Sequence, residues 1–175
     1  KISEKEWDED GNPLAIAQKS MVQKPVTAAE ASKVVVDSSQ LEERDDLMYL
    51  KEVPFTGVVV DKYGNGQKLW EVTFKDGKEH GLVTEWYENG QKESEWAYKD
   101  GKRDGLQAEW YENGQKEVEG AHKDGNPVTA IVWKPNGEKC PDTNLVNGNG
   151  IVCEYWNNGQ KEVENTYKDG KKDGL

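Results

Sequence analysis

An all-β fold, an elongated single-layer antiparallel meander of repeated β-hairpins, is predicted by three features of this sequence. Asn-Gly-Gln-Lys recurs from Asn65, Asn89, Asn113 and Asn158, and Gly66, Gly90 and Gly114 are spaced 24 residues apart. Self-similarity at such a period marks a repeat array. Turn dipeptides such as Asn89-Gly90 and Asp100-Gly101 separate runs of alternating polarity, a strong local hairpin signal. Finally, 34% of residues are hydrophobic and 33% charged, and the mean hydropathy is -0.99. That composition is too poor in apolar residues for a thick core, whereas a thin sheet whose units touch only their neighbours needs little buried volume.

Residues 1–33 are polar and without sustained period, and read as a poorly ordered linker. Residues 34–56 combine a β-branched run, an acidic stretch and Leu47-Met48-Tyr49-Leu50. They read as an N-terminal cap that shields the first sheet edge. Residues 57–175 hold about five hairpin units that start near 57, 81, 105, 128 and 150. The unit from Gly81 to Lys102 returns almost residue for residue from Gly105 and again from Gly150. The fourth unit is irregular: Gly114 to Gly137 spans 23 residues, Gly137 to Gly159 spans 22, and Pro127, Pro135 and Pro141 are inserted. A bulge or bend is expected there. Gly174-Leu175 matches the start of a further unit and the chain begins at Lys1, so both ends read as cut, with an open sheet edge near Leu175 available for self-association.

Alternation places Leu82, Thr84 and Trp86 on one face of the first strand and Val83, Glu85 and Tyr87 on the other. Stacked at the repeat period, one face is expected to collect three columns. These are Val58, Leu82, Leu106, Thr129 and Ile151; then Trp86, Trp110, Trp133 and Tyr155; then Phe74, Tyr98, His122 and Tyr167, with Trp96 beside them. The opposite face is expected to collect Asp61, Glu85, Glu109 and Glu154 beside Glu71, Glu95, Glu119 and Glu164. A one-layer sheet leaves part of an aromatic face open, and an exposed apolar strip rimmed by polar groups marks a partner site. The candidate partner-binding residues are therefore Trp86, Trp96, Tyr98, Trp110, Trp133, Tyr155 and Tyr167.

The net charge of -11 works against nucleic acid and anionic lipid and favours a basic protein partner. No run approaches the roughly 20 apolar residues of a membrane helix. Catalysis is not expected: His80 and His122 lack nucleophile or metal-ligand partners at a recognisable spacing. Neither a metal nor a cofactor is expected. The glutamate columns are spread rather than convergent, and Asp8 to Asn12 lacks the remaining positions of a calcium loop. Cys140 aligns with Glu117 and Cys153 with Ala108, which alternation puts on opposite faces, although Pro141 interrupts the register and can re-aim Cys140. Whether the two thiols ever pair stays open at this level.

The core Gly-x-x-x-x-Trp-Tyr-x-Asn-Gly-x-x, present as Gly81 to Lys92 and Gly105 to Lys116, resembles the variant MORN repeat. Pro54-Phe55-Thr56-Gly57 and Gly137-Glu138-Lys139-Cys140-Pro141 also look like segments of bacterial proteins of that family, so the resemblance covers residues 47 to 175. It implies a twisted sheet of successive hairpins and brings no catalytic residue. It further implies an antitoxin of the YwqK type from a toxin–antitoxin system, with scaffolds, adhesins and membrane-linked modules among related arrays. Two functions are therefore carried forward. One is a noncatalytic protein-binding scaffold, its partner a toxin or a surface protein; the other is a secreted or surface-attached structural or adhesive array. The compartment, cytoplasmic or exported, is left open.

Overall fold

The computed structural model describes residues 34–173. The expectations for residues 1–33 and for the edge at Leu175 lie outside them. Strands β1 (Val34–Val36), β2 (Leu41–Arg44), β3 (Leu47–Leu50) and β4 (Val53–Pro54) precede the repeats, with one 3-10 turn at Ser38–Gln40. The hairpin strands follow as β5 (Gly57–Lys62), β6 (Lys68–Lys75), β7 (Lys78–Trp86), β8 (Lys92–Lys99), β9 (Lys102–Trp110), β10 (Lys116–Lys123) and β11 (Asn126–Val132). After an irregular stretch come β12 (Gly150–Tyr155), β13 (Lys161–Lys168) and β14 (Lys171–Lys172). β5 to β11 lie side by side in chain order as an antiparallel meander, β12 to β14 form a second small sheet, and β2 to β4 a third.

Two kinds of turn connect the strands. At Asp100-Gly101 both residues have positive φ, 52° and 81°, and the same signs recur at Asp76-Gly77, Asp124-Gly125 and Asp169-Gly170. This is the two-residue turn whose twist matches that of the flanking strands. At Asn89-Gly90 only the glycine has positive φ. The Tyr87 and Gln91 backbones close around a three-residue loop through Tyr87 N to Gln91 O, 2.9 Å, and Gly90 N to Tyr87 O, 2.8 Å. The extra loop residue is absorbed one step later. Pairing passes from Trp86–Lys92 to Glu85–Ser94, which leaves Glu93 bulged. Glu117 is bulged in the same way between Lys116 and Val118.

This register corrects the expected arrangement of faces. Val83 pairs with Trp96, Gly81 with Tyr98 and Leu82 with Ala97, so the aromatic residues of β8 lie on the face opposite Trp86. Repeat alignment fixes which residues form a column along equivalent strands. Which face a column joins is set by hairpin pairing.

The N-terminal segment contacts the array in two ways. β1 runs parallel to β5, Val34 opposite Gly57, and is the one parallel pairing among the described strands. The β2–β4 ribbon places Leu41, Met48 and Leu50 against a core of Val36, Phe55, Val59, Val72, Phe74 and Val83. That core is the Val83 face. Backbone bonds from Met48 N to Gly77 O and from Gly77 N to Phe55 O, 2.9 and 2.8 Å, tie the ribbon to the first Asp-Gly turn.

At the irregular fourth unit the ladder is carried partly by side chains. Cys140 N donates to Val132 O at 2.8 Å on the β11 side. On the β12 side Ile151 N donates to Asn144 Oδ1 at 2.7 Å and Cys153 N to Thr143 Oγ1 at 3.1 Å. Pro141, which has no N–H to give, sits inside this stretch, and the sheet divides there, a larger interruption than the bulge or bend expected.

Candidate functional site

The Asn-Gly-Gln motif has a mechanical role. In each loop the Asn Oδ1 accepts from the backbone N–H of the Gln two residues on, as for Asn89 and Gln91 at 2.9 Å. Its Nδ2 reaches the next repeat: Asn65 to Glu88 O at 3.1 Å, Asn89 to Glu112 O at 3.3 Å and Asn113 to Pro135 O at 2.9 Å. The preceding tyrosines do the same, Tyr63 to Trp86 O and Tyr87 to Trp110 O at 2.7 Å and Tyr111 to Trp133 O at 2.9 Å. On the other margin Gly101 N donates to Glu79 O, Gly125 N to Arg103 O and Gly170 N to Gly148 O, all at 2.8–2.9 Å. Both margins are therefore stitched unit to unit, which holds each strand's side chains at a fixed offset from those of the next unit.

On the first face, Trp86, Trp110 and Trp133 form one column, each partly buried. A lysine ammonium stands over each ring: Lys68 over Trp86 at 5.1 Å, Lys92 over Trp110 at 6.0 Å and Lys116 over Trp133 at 5.7 Å from the centroid. Those ammonium groups are paired with Glu71, Glu95 and Glu119. Tryptophan, lysine and glutamate thus recur as a charge-compensated triplet. Pairing sets Leu82, Ala97 and Leu106 on the same face, and Leu82 is 37% exposed. Of the glutamates expected opposite the tryptophans, Glu71, Glu95 and Glu119 in fact share their face because of the hairpin register, while Glu85 and Glu109 lie opposite as expected.

The other face carries Trp96, Tyr98, His122, Gln107, Glu85 and Glu109. Arg103 lies over Trp96 with its Cζ 3.4 Å from the ring centroid and donates from Nε to the Tyr98 hydroxyl at 3.2 Å. His122 stands edge-on to Trp96, centroids 5.6 Å apart. Burial, with Arg103 adding to it, pushes the His122 pKa down to about 4, so the ring is neutral. Burial and then Glu117 push Glu109 up to about 7, and burial followed by Glu154 does the same to Glu117. His122 is thus uncharged on this face at neutral pH, and ionisation of Glu109 and Glu117 is held back.

Of the expected site residues, the structure keeps Trp86, Trp110 and Trp133 together and turns Trp96 and Tyr98 away from them. Tyr167 pairs with Gly150 as Tyr98 pairs with Gly81, and so belongs to the Trp96-type face of the small sheet. Tyr155 is 7% exposed, packs with Val118, Val132, Cys140 and Cys153, and contacts Cys140 Sγ at 3.1 Å, which removes it from the surface. The ring-stacking roles of Arg103 and the lysines are absent from the sequence reading. A lysine following every Asn-Gly-Gln was the available signal for the latter.

Residues 79–100, 103–124 and 149–169 each match the family model of the MORN repeat variant. Among curated proteins none matches the chain. The three segments coincide with the β7–β8, β9–β10 and β12–β13 hairpins, while the β5–β6 hairpin and the irregular fourth unit continue the same stitching outside the matched segments. Three of the chain's hairpins are thus matched as MORN repeat variants.

Proposed function

We propose that this array is a noncatalytic protein-binding module whose contact surface is the face bearing Trp86, Trp110 and Trp133. The observation that carries this reading is the threefold Trp–Lys–Glu triplet beside Leu82 and Leu106. The first core cluster gathers residues of the other face, Val59, Val72 and Val83, and the second draws on Val118 and Val132 of that face, whereas Leu82 on the tryptophan face stays 37% exposed. Partly exposed tryptophans held by cations offer large contact area at little entropy cost, the chemistry of binding hot spots. The chain's net charge of -11 suits a basic partner by steering. A toxin protein is one partner of this kind.

The test is affinity capture with the full chain and with a Trp86→Leu/Trp110→Leu/Trp133→Leu variant, its fold checked by circular dichroism. Loss of a stoichiometric partner from the folded variant, with retention by Trp96→Leu, supports the reading. Equal capture by all three proteins overturns it. The uniform stitching along both margins also suits a structural array in which repeat number sets reach, and capture that varies with repeat number alone would favour that alternative.

A further inference from the structure

The irregular stretch between β11 and β12 brings the chain's two cysteines together. Cys140 and Cys153 are 2% and 0% exposed, both free, and their sulfurs lie within 4.8 Å of each other. Alternation along ideal strands separates them. Here Pro141 takes the chain out of strand geometry, so Cys140 turns into the cluster of Val118, Val132 and Tyr155 rather than following Glu117.

A carboxylate oxygen of Asp142 completes a trio of candidate cation ligands. Asp142 is already engaged, however: the Lys161 ammonium pairs with it at 3.1 Å and with Glu164 at 2.8 Å. What remains is chemistry between the two sulfurs. It would also have a mechanical effect, since the backbone from Cys140 to Cys153 is held partly through Asn144 and Thr143 side chains rather than by a regular ladder alone.

We infer that Cys140 and Cys153 form an intramolecular disulfide when the protein meets a small-molecule or protein disulfide as oxidant. The Cys140 thiolate attacks one sulfur of the oxidant and expels its partner as a thiol, forming a mixed disulfide. The Cys153 thiolate then attacks the Cys140 sulfur and expels the second thiol. The protein loses two hydrogens and two electrons, and the oxidant is reduced to two thiols. The surroundings assign these roles. Burial works against ionisation of Cys140, yet hydrogen bonds from Thr143 and Tyr155 and from the backbone N–H groups of Thr143 and Asp142 bring its pKa below that of an ordinary thiol. Burial and the neighbouring Cys140 push Cys153 up, which suits it to the second, resolving step.

The full chain is unfolded in denaturant with reductant and refolded in mixtures of reduced and oxidised glutathione, so that burial cannot block access. The expected result is loss of both alkylatable thiols and a Cys140–Cys153 cross-linked peptide after proteolysis, with a Tm above that of the reduced protein by roughly 5–10 °C. A Cys140→Ser/Cys153→Ser variant is expected to show no response to the redox buffer. Recovery of two free thiols at an oxidising ratio, of glutathione adducts without the cross-link, or of one zinc held by both thiols overturns the inference. The peptide map decides this even where the double variant folds poorly.

Discussion

The Tyr111 hydroxyl donates to the carbonyl oxygen of Trp133 at 2.9 Å, while Tyr111 itself is 3% exposed. A buried phenol that satisfies the backbone of the following unit links packing to polar satisfaction in one side chain, and the same bond recurs at Tyr63 and Tyr87.

Tyr111→Phe keeps the ring and strands the Trp133 carbonyl, at a cost of about 1–3 kcal/mol. Tyr63 is more exposed, so water can replace its hydroxyl and Tyr63→Phe is expected to cost less. Urea denaturation of the two variants side by side checks the order, and equal losses would show that burial of the hydroxyl does not set the cost.

Glu109 and Glu117, raised to about 7, make stability depend on pH. The folded state holds these protons more tightly than the unfolded chain. Their contribution is therefore complete below the ordinary carboxyl range, near pH 4, and is lost as pH rises through about 7. Between pH 5 and 8 the urea midpoint of Glu109→Gln/Glu117→Gln is expected to fall less steeply than that of the parent, and the variant is expected to be the more stable protein at pH 8.

His122 acts with the opposite sign. Its folded pKa of about 4 lies below that of an exposed imidazole, so the folded state resists protonation and stability is lost as pH falls from about 6.5 toward 4. His122→Phe, at a site where Phe74 and Tyr98 occupy equivalent positions, removes that loss. The measurement is the same pH series, restricted to the acid limb.

Gly120 stands one repeat after Trp96 and has no room for a side chain. A Cβ there would meet Thr129 O at 2.2 Å, and that oxygen belongs to the β11 backbone paired with β10. Gly120→Ala is expected to destabilise by about 1–3 kcal/mol through overpacking. Gly64→Ala, where the added carbon meets nothing within 4 Å, serves as the neutral control in thermal unfolding.

The hairpins and the Trp86–Trp110–Trp133 column were legible because each rests on recurrence, which the sequence displays directly. The composition of each face was not. It depends on Val83 pairing with Trp96, a relation between strands, and on three-residue loops whose extra residue is taken up by bulges at Glu93 and Glu117. Arg103 escaped notice because its position holds Glu79 in the preceding unit, and only the fold brings its guanidinium onto Trp96. The meeting of the cysteines follows from the break that the sequence already marks. Alternation is a rule for strands, and Pro141 ends its authority over Cys140.

The tyrosine and asparagine ties have a consequence for how such chains change length. Every donor reaches a main-chain oxygen one unit ahead, and main-chain oxygens are the same whatever unit supplies them. Excising the segment from Gly81 to Asp104 would leave Tyr63 facing Trp110 where it now faces Trp86, with the connection unchanged in kind. Gene duplication or loss of whole units can therefore lengthen or shorten the ribbon without new compensating substitutions, and its reach can evolve separately from its chemistry.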